Sequence, residues 1–270
     1  MIDTVRIEQL LNVAKQATAT AGEFIRSAAP HTLTKKGDRD FASDVDVSVE
    51  RLVRNFLHQQ TPDLGFLGEE SGGNTEGAGL RWILDPIDGT INFLHGLPLC
   101  AVSLSLLEDD ITLVGVVALP FLGLQYTASL GRGSYANDQR LRVSVIDTLD
   151  AALVSIDQYT FGADSDKTNQ LRHRLLEGIA SRVQRVRIFG TSAIDLVWTA
   201  HGRLDACIIL GNKPWDTSAG TLIAREAGAR LLDLDGIDHS ITSSSTIAVT
   251  PSIEHQLMTV IHDTLAKEQI

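Results

Sequence analysis

The chain of 270 residues has only two cysteines, Cys100 and Cys207, far apart and at no zinc-ligand spacing. That argues against a disulfide framework or a cysteine-based zinc site and predicts two buried thiols in a reducing, cytoplasmic setting. Basic residues are also short. Against 34 Asp and Glu stand 23 Lys and Arg, a formal charge of −11, which makes a nucleic-acid partner a poor fit. The start, Met1-Ile2-Asp3-Thr4-Val5-Arg6, has neither the basic nor the apolar region of a signal peptide. One uncharged stretch, 111–131, is long enough to span a bilayer. It holds Gly115, Pro120, Gly123, Gln125 and Tyr126 among β-branched Thr112, Val114, Val116 and Val117, so two strands turning at 120–123 are predicted and no membrane partner. Internal repeats and low-complexity tracts are lacking too.

What remains is an ordinary globular composition, 43% hydrophobic and 21% charged, sized for one large or two intimate domains. Apolar residues at helical spacing predict a helix over 5–28, ended by Pro30, and a second through Val45, Val49, Val53 and Leu57. The polar segment Thr34–Asp40 between them reads as a mobile loop. Short apolar runs at 66–68 and 82–84 read as strands, and 101–107, 112–118 and 124–129 as an antiparallel meander. Beyond them, strands at 152–156, 183–188 and 205–210 alternate with helices at 167–180, 192–200 and 217–227. A composition shift near 144–150 predicts two subdomains, 1–148 and 149–270.

The run Trp82-Ile83-Leu84-Asp85-Pro86-Ile87-Asp88-Gly89-Thr90-Ile91-Asn92-Phe93 carries the chemistry. An apolar strand ends in two carboxylates around a rigid proline, and a Gly-Thr turn opens a helix. Oxygen ligands at such a junction suit a hard divalent cation such as Mg²⁺, and free N–H groups at a helix start suit a phosphate. Alone, Asp-Gly-Thr is an ordinary capped turn. Three further acidic turns change the weighing: Gly68-Glu69-Glu70-Ser71, Ser43-Asp44-Val45-Asp46 and Trp215-Asp216-Thr217-Ser218. Acids at four separate element ends point to a metal site assembled by the fold.

These motifs, with Asn92-Phe93-Leu94-His95-Gly96, Gly190-Thr191-Ser192-Ala193 and Glu226-Ala227-Gly228, resemble in kind and order those of the inositol monophosphatase family of lithium-sensitive, Mg²⁺-dependent phosphatases. The resemblance implies a layered α+β / α/β sandwich (αβαβα), as in fructose-1,6-bisphosphatase, and a homodimer. It also implies hydrolysis of a small phosphorylated polyol, sugar or nucleotide, with inositol monophosphate foremost. Fructose-1,6-bisphosphatase, histidinol-phosphate phosphatase and 3′-phosphoadenosine nucleotidase share that metal core. Some bacterial relatives act instead as regulatory binding proteins in RNA-polymerase-associated complexes. By the same resemblance, Glu69, Asp85 and the Ile87 carbonyl hold one Mg²⁺, Asp85, Asp88 and Asp216 a second, and a third ion lies near Glu69. Thr90, bonded to Asp46 and with Glu69 nearby, activates water. Asp88, Gly89, Thr90, Ser192 and Asp216 bind substrate. His95 reads as structural and Trp215 as helix packing, while Glu70 stays open between a metal ligand and a partner that orients one, and Lys36 between a site role and a solvated loop lysine. One departure stands out. Inositol-selective members carry an acid seven positions before the Asp216 motif, and here that position is Ile209.

Overall fold

The computed structural model describes residues 3–28, 33–37, 40–73, 79–162 and 165–266. The inward stripe Leu10, Ala14, Ala17, Ala21 and Ile25 gives helix α1 (Thr4–Ser27), capped by the Asp3 side chain, which accepts from the Arg6 N–H. It ends at Ala28; Pro30 lies outside the described residues. Where a polar loop is expected, the backbone forms an antiparallel hairpin of β1 (Leu33–Gly37) and β2 (Asp40–Ser43). A two-stranded ribbon is held by its backbone ladder, so the run Thr34-Lys35-Lys36-Gly37 carries no alternation of apolar and polar residues from which a strand would be read. Helix α2 (Asp44–Gln60) follows through a reciprocal cap between Ser43 and Asp46.

The first sheet then builds from β3 (Gly65–Gly68), β4 (Gly72–Gly73) and β5 (Leu80–Asp88). After the short helix α3 (Thr90–Leu94) come β6 (Ala101–Glu108), β7 (Ile111–Leu119), β8 (Leu124–Ser129), β9 (Ser134–Ala136) and β10 (Gln139–Arg140). Its order is β10-β9-β8-β7-β6-β5-β3-β4, antiparallel except for the β3–β5 pair. Residues 141–152 lead to the second half: β11 (Leu153–Ile156), α4 (Ser165–Ala180), β12 (Arg185–Arg187), α5 (Ser192–Ala200), β13 (Ala206–Ile209), α6 (Pro214–Glu226), β14 (Arg230–Leu232), β15 (Thr246–Val249) and α7 (Glu254–Ala266). The second sheet runs β12-β11-β13-β15-β14, parallel around β11 and antiparallel beyond β13.

Three apolar cores stack these elements into five layers. One joins α1 and α2 to a face of the first sheet. A second joins the opposite face to α5, α6 and the second sheet. A third packs that sheet against α4 and α7. The order is therefore αβαβα, and the α5–α6 layer shares its core with both sheets. Gly115 on β7 lets α6 approach: a Cβ there would lie 2.7 Å from the Ala219 carbonyl oxygen. Cys100 and Cys207 are buried free thiols, both pushed up to about 12, chiefly by burial, and so kept as neutral thiols. Among the described residues no helix is long and apolar enough to cross a membrane.

Candidate active site

A strand alternates its side chains, so Asp85 and Asp88, three apart, would face opposite sides of a regular β5. The register prevents this. Asp85 pairs with Ser103 and Asp88 with Ala101, so three steps on β5 match two on β6. That extra residue is a bulge around Pro86 and Ile87, where proline has no N–H for the ladder. Both carboxylates thereby reach one chamber. The parallel pairing of Gly68 with Leu84 brings Glu69 alongside, its N–H on the Leu84 carbonyl at 3.1 Å. The first turn of α6 delivers Asp216 from the opposite half.

The chamber, about 190 Å³, is lined by Glu69, Asp85, Ile87, Asp88, Gly89, Thr90 and Asp216, with Ser192 and Thr191 from the start of α5. Asp157, Gln158, Ile91 and Gly190 complete the wall, and no lysine, arginine or histidine is among the lining residues. Burial raises the Asp85 carboxyl well above the carboxylate range, and the nearby charges of Glu69, Asp88 and Asp216 add to it. The Ile87 N–H holds one Asp85 oxygen at 2.9 Å. Asp88 is raised to about 6, chiefly by burial, although hydrogen bonds from Thr191, Ala193 and Ser192 pull the other way. One of its oxygens accepts from the Thr191 hydroxyl at 2.7 Å and the Ala193 N–H at 2.6 Å, tying β5 to α5 across the two halves. Among the described residues no three acidic, histidine or cysteine side chains already stand at metal-cage spacing. Asp85 and Asp88 with raised proton affinity, Glu69 and Asp216 beside them, and no cationic side chain among the described lining residues are still a donor set that fits hard cations, which would relieve the repulsion.

Thr90 opens α3. Its hydroxyl donates to Asp46 at 2.9 Å and to the Ile87 carbonyl at 3.0 Å. Asp46 is fully buried; its other oxygen accepts from the Ser43 N–H at 2.9 Å and from the Ser43 hydroxyl. The N–H groups of Gly89 and Thr90 precede the first bond of this helix, from Phe93 N–H to the Gly89 carbonyl.

Other sequence candidates lie elsewhere. Glu70 is not among the lining residues; its N–H and that of Ser71 bond to Glu50, whose buried carboxylate fixes the turn. The Lys36 side chain lies outside the described residues. His95 ends α3 without lining the chamber, and Trp215 packs beside Leu67, Ile83 and Leu107. Ile209 is 1% exposed in the core between β13 and the α5–α6 layer, so its replacement of an acid does not face the chamber. Asn212, just beyond β13, is committed to the Ser243 carbonyl and the Thr246 hydroxyl. Sequence reasoning missed Glu50, Thr191, Asp157 and Gln158. Glu50 was signalled by its place four residues after Asp46 on the inward side of α2.

The layered fold carries a chamber walled by carboxylates, with donors suited to hard cations. Comparison with known proteins makes the assignment specific: residues 6–268 match the inositol monophosphatase family, and the chain belongs to it. Inositol monophosphatase 1 of Solanum lycopersicum is 34% identical over 255 residues, covering 92% of this chain and 93% of that protein. A protein of Aquifex aeolicus named fructose-1,6-bisphosphatase/inositol-1-monophosphatase is 32% identical over 226 residues, 82% and 84% of the two chains. The crystal structure of extragenic suppressor protein suhB from Bartonella henselae superposes with a TM-score of 0.87 at 32% identity, over 93% of this chain and 97% of that one.

Proposed function

We propose that the protein is a Mg²⁺-dependent phosphomonoesterase that cleaves inositol monophosphate, or a closely similar polyol phosphate, to alcohol and inorganic phosphate. The observation that carries this reading is the set of Glu69, Asp85, Asp88 and Asp216 lining one chamber, with no basic side chain among the described lining residues. Glu69, Asp85 and the Ile87 carbonyl would hold one ion, and Asp85, Asp88 and Asp216 a second, with room in the family pattern for a third near Glu69. Mg²⁺ bound there supplies charge neutralisation for the phosphate and the departing alkoxide, and acidifies water.

The protein's own groups do the rest. Thr90, its proton directed to Asp46 and Ile87, presents acceptor lone pairs to a water and orients it for attack on phosphorus. Asp46 or Glu69 receives the proton. The Gly89 and Thr90 N–H groups and the start of α5 at Ser192 hold phosphate oxygens. A purely regulatory binding protein has no need of four like charges in one chamber, and the intact set favours an enzyme. A substrate panel tests the proposal: kcat/KM should be highest for inositol 1-phosphate, against fructose 1,6-bisphosphate, histidinol phosphate and a 3′-phosphoadenosine nucleotide. Preference for one of the other three would move the protein to that activity.

A further inference from the structure

Part of the chamber wall comes from the segment after β11, Asp157 and Gln158, with Gln158 beside Gly190. Asp157 is built in with care. The Arg172 side chain, 0% exposed, donates Nε to one carboxylate oxygen at 2.7 Å and a terminal nitrogen to the other at 2.8 Å. The Leu210 N–H adds 2.9 Å to the second oxygen. Arg172 also bonds Asn169 at 2.7 Å, and Asn169 holds both backbone groups of Thr160. A two-pronged arginine–carboxylate pair fixes orientation as well as charge. A purely structural pair would be shut inside. This one keeps 12% of the Asp157 side chain exposed, toward the chamber. Gln158 lies so close to Gly190 that a Cβ there would be 3.1 Å from its amide oxygen, and the φ of +75° at Gly190 suits glycine.

We infer that Asp157 and Gln158 are the specificity-determining residues for the leaving alcohol: they accept hydrogen bonds from hydroxyls next to the phosphorylated carbon, selecting a polyol monophosphate over a simple ester. This rests on the phosphatase reading above. A carboxylate whose protein-facing lone pairs are already filled offers its remaining ones only to donors, and hydroxyls are donors. Among the described residues the wall also gives a second phosphate no cationic side chain to bind. It supplies the acceptors that buried Ile209 does not. Arg172 is a positioning residue, acting only through Asp157.

The test measures kcat and KM for inositol 1-phosphate and for phenyl phosphate, which lacks hydroxyls, with Mg²⁺, in wild type, Asp157→Asn and Gln158→Ala. Asparagine exchanges one acceptor oxygen for a donor at equal size. The ratio of kcat/KM for inositol 1-phosphate over phenyl phosphate should fall at least tenfold in Asp157→Asn, mainly through KM. In Gln158→Ala, whose side chain is exposed and whose fold is safe, it should fall at least threefold. Thermal unfolding checks the Asn variant, and if that variant does not fold, Gln158→Ala decides. A wild type active on both esters with the ratio unmoved in the variants overturns this inference alone. A wild type releasing phosphate from neither ester overturns the phosphatase reading, and this inference with it.

Discussion

Asp88→Asn in the metal-free protein separates charge from packing, because asparagine has the size of aspartate and still accepts from Thr191 and Ala193. Asp88 is raised from 3.8 to about 6. That difference is a cost of about 3 kcal/mol for keeping the charged form in the fold at neutral pH, reduced by solvent where the side chain is partly exposed. Because the folded value lies above the unfolded one, no cost is felt below about pH 4, and stability is lost as pH rises toward 6. With chelator at pH 7.5 the Asn variant should therefore be more stable than wild type by up to about 3 kcal/mol, a Tm gain of at most about 6–12 °C at 2–4 °C per kcal/mol. At pH 4 the gap should close. Saturating Mg²⁺ should reverse the order, since the cation binds the carboxylate and stabilises only the folded state. Thermal unfolding followed by circular dichroism at pH 4, 5.5 and 7.5 reads all of this. An Asn variant less stable than wild type in chelator at pH 7.5, or a gap that ignores pH, would refute the electrostatic reasoning.

Thr90→Ala removes the hydroxyl that faces Asp46 and should lower kcat at least 100-fold with KM nearly unchanged, read by steady-state phosphate release; a loss confined to KM would reassign Thr90 to substrate binding. His239, buried and bonded to Thr246 at 2.8 Å, is lowered to about 4, chiefly by burial and then by Arg225. Its folded value lies below the usual 6.5, so stability is full above pH 6.5 and about 3 kcal/mol is lost as pH falls through 4. Urea unfolding between pH 7 and pH 4 should show this acid weakening in wild type and a smaller one in His239→Asn.

Much of the architecture was legible because its signals are local. The meander of β6, β7 and β8 showed in β-branched runs with Pro120 and Gly123 between, and α1 and α2 in their apolar stripes. The convergence of Glu69, Asp85, Asp88 and Asp216 was legible only through motif order; no periodicity shows that a bulge at Pro86 and Ile87 turns Asp85 and Asp88 to one side. The β1–β2 hairpin escaped because a polar ribbon carries no burial pattern. Asp157 escaped for a different reason. Its meaning depends on Arg172, fifteen residues on and on the inward side of α4 with Leu175 and Ile179, and a buried arginine reads in sequence as a solvated one. Ile209 shows the converse: counting from a motif gives the position but not the direction of the side chain, which lies in the core.

The most direct test of the central claim is phosphate release from inositol 1-phosphate by the purified wild type, first in excess chelator, then with Mg²⁺ restored, then with Ca²⁺ added. A chamber that gathers four carboxylates, with no basic side chain among its described lining residues, predicts no turnover in chelator, full recovery with Mg²⁺ and inhibition by the larger, less strictly octahedral Ca²⁺. Full activity in excess chelator would contradict it.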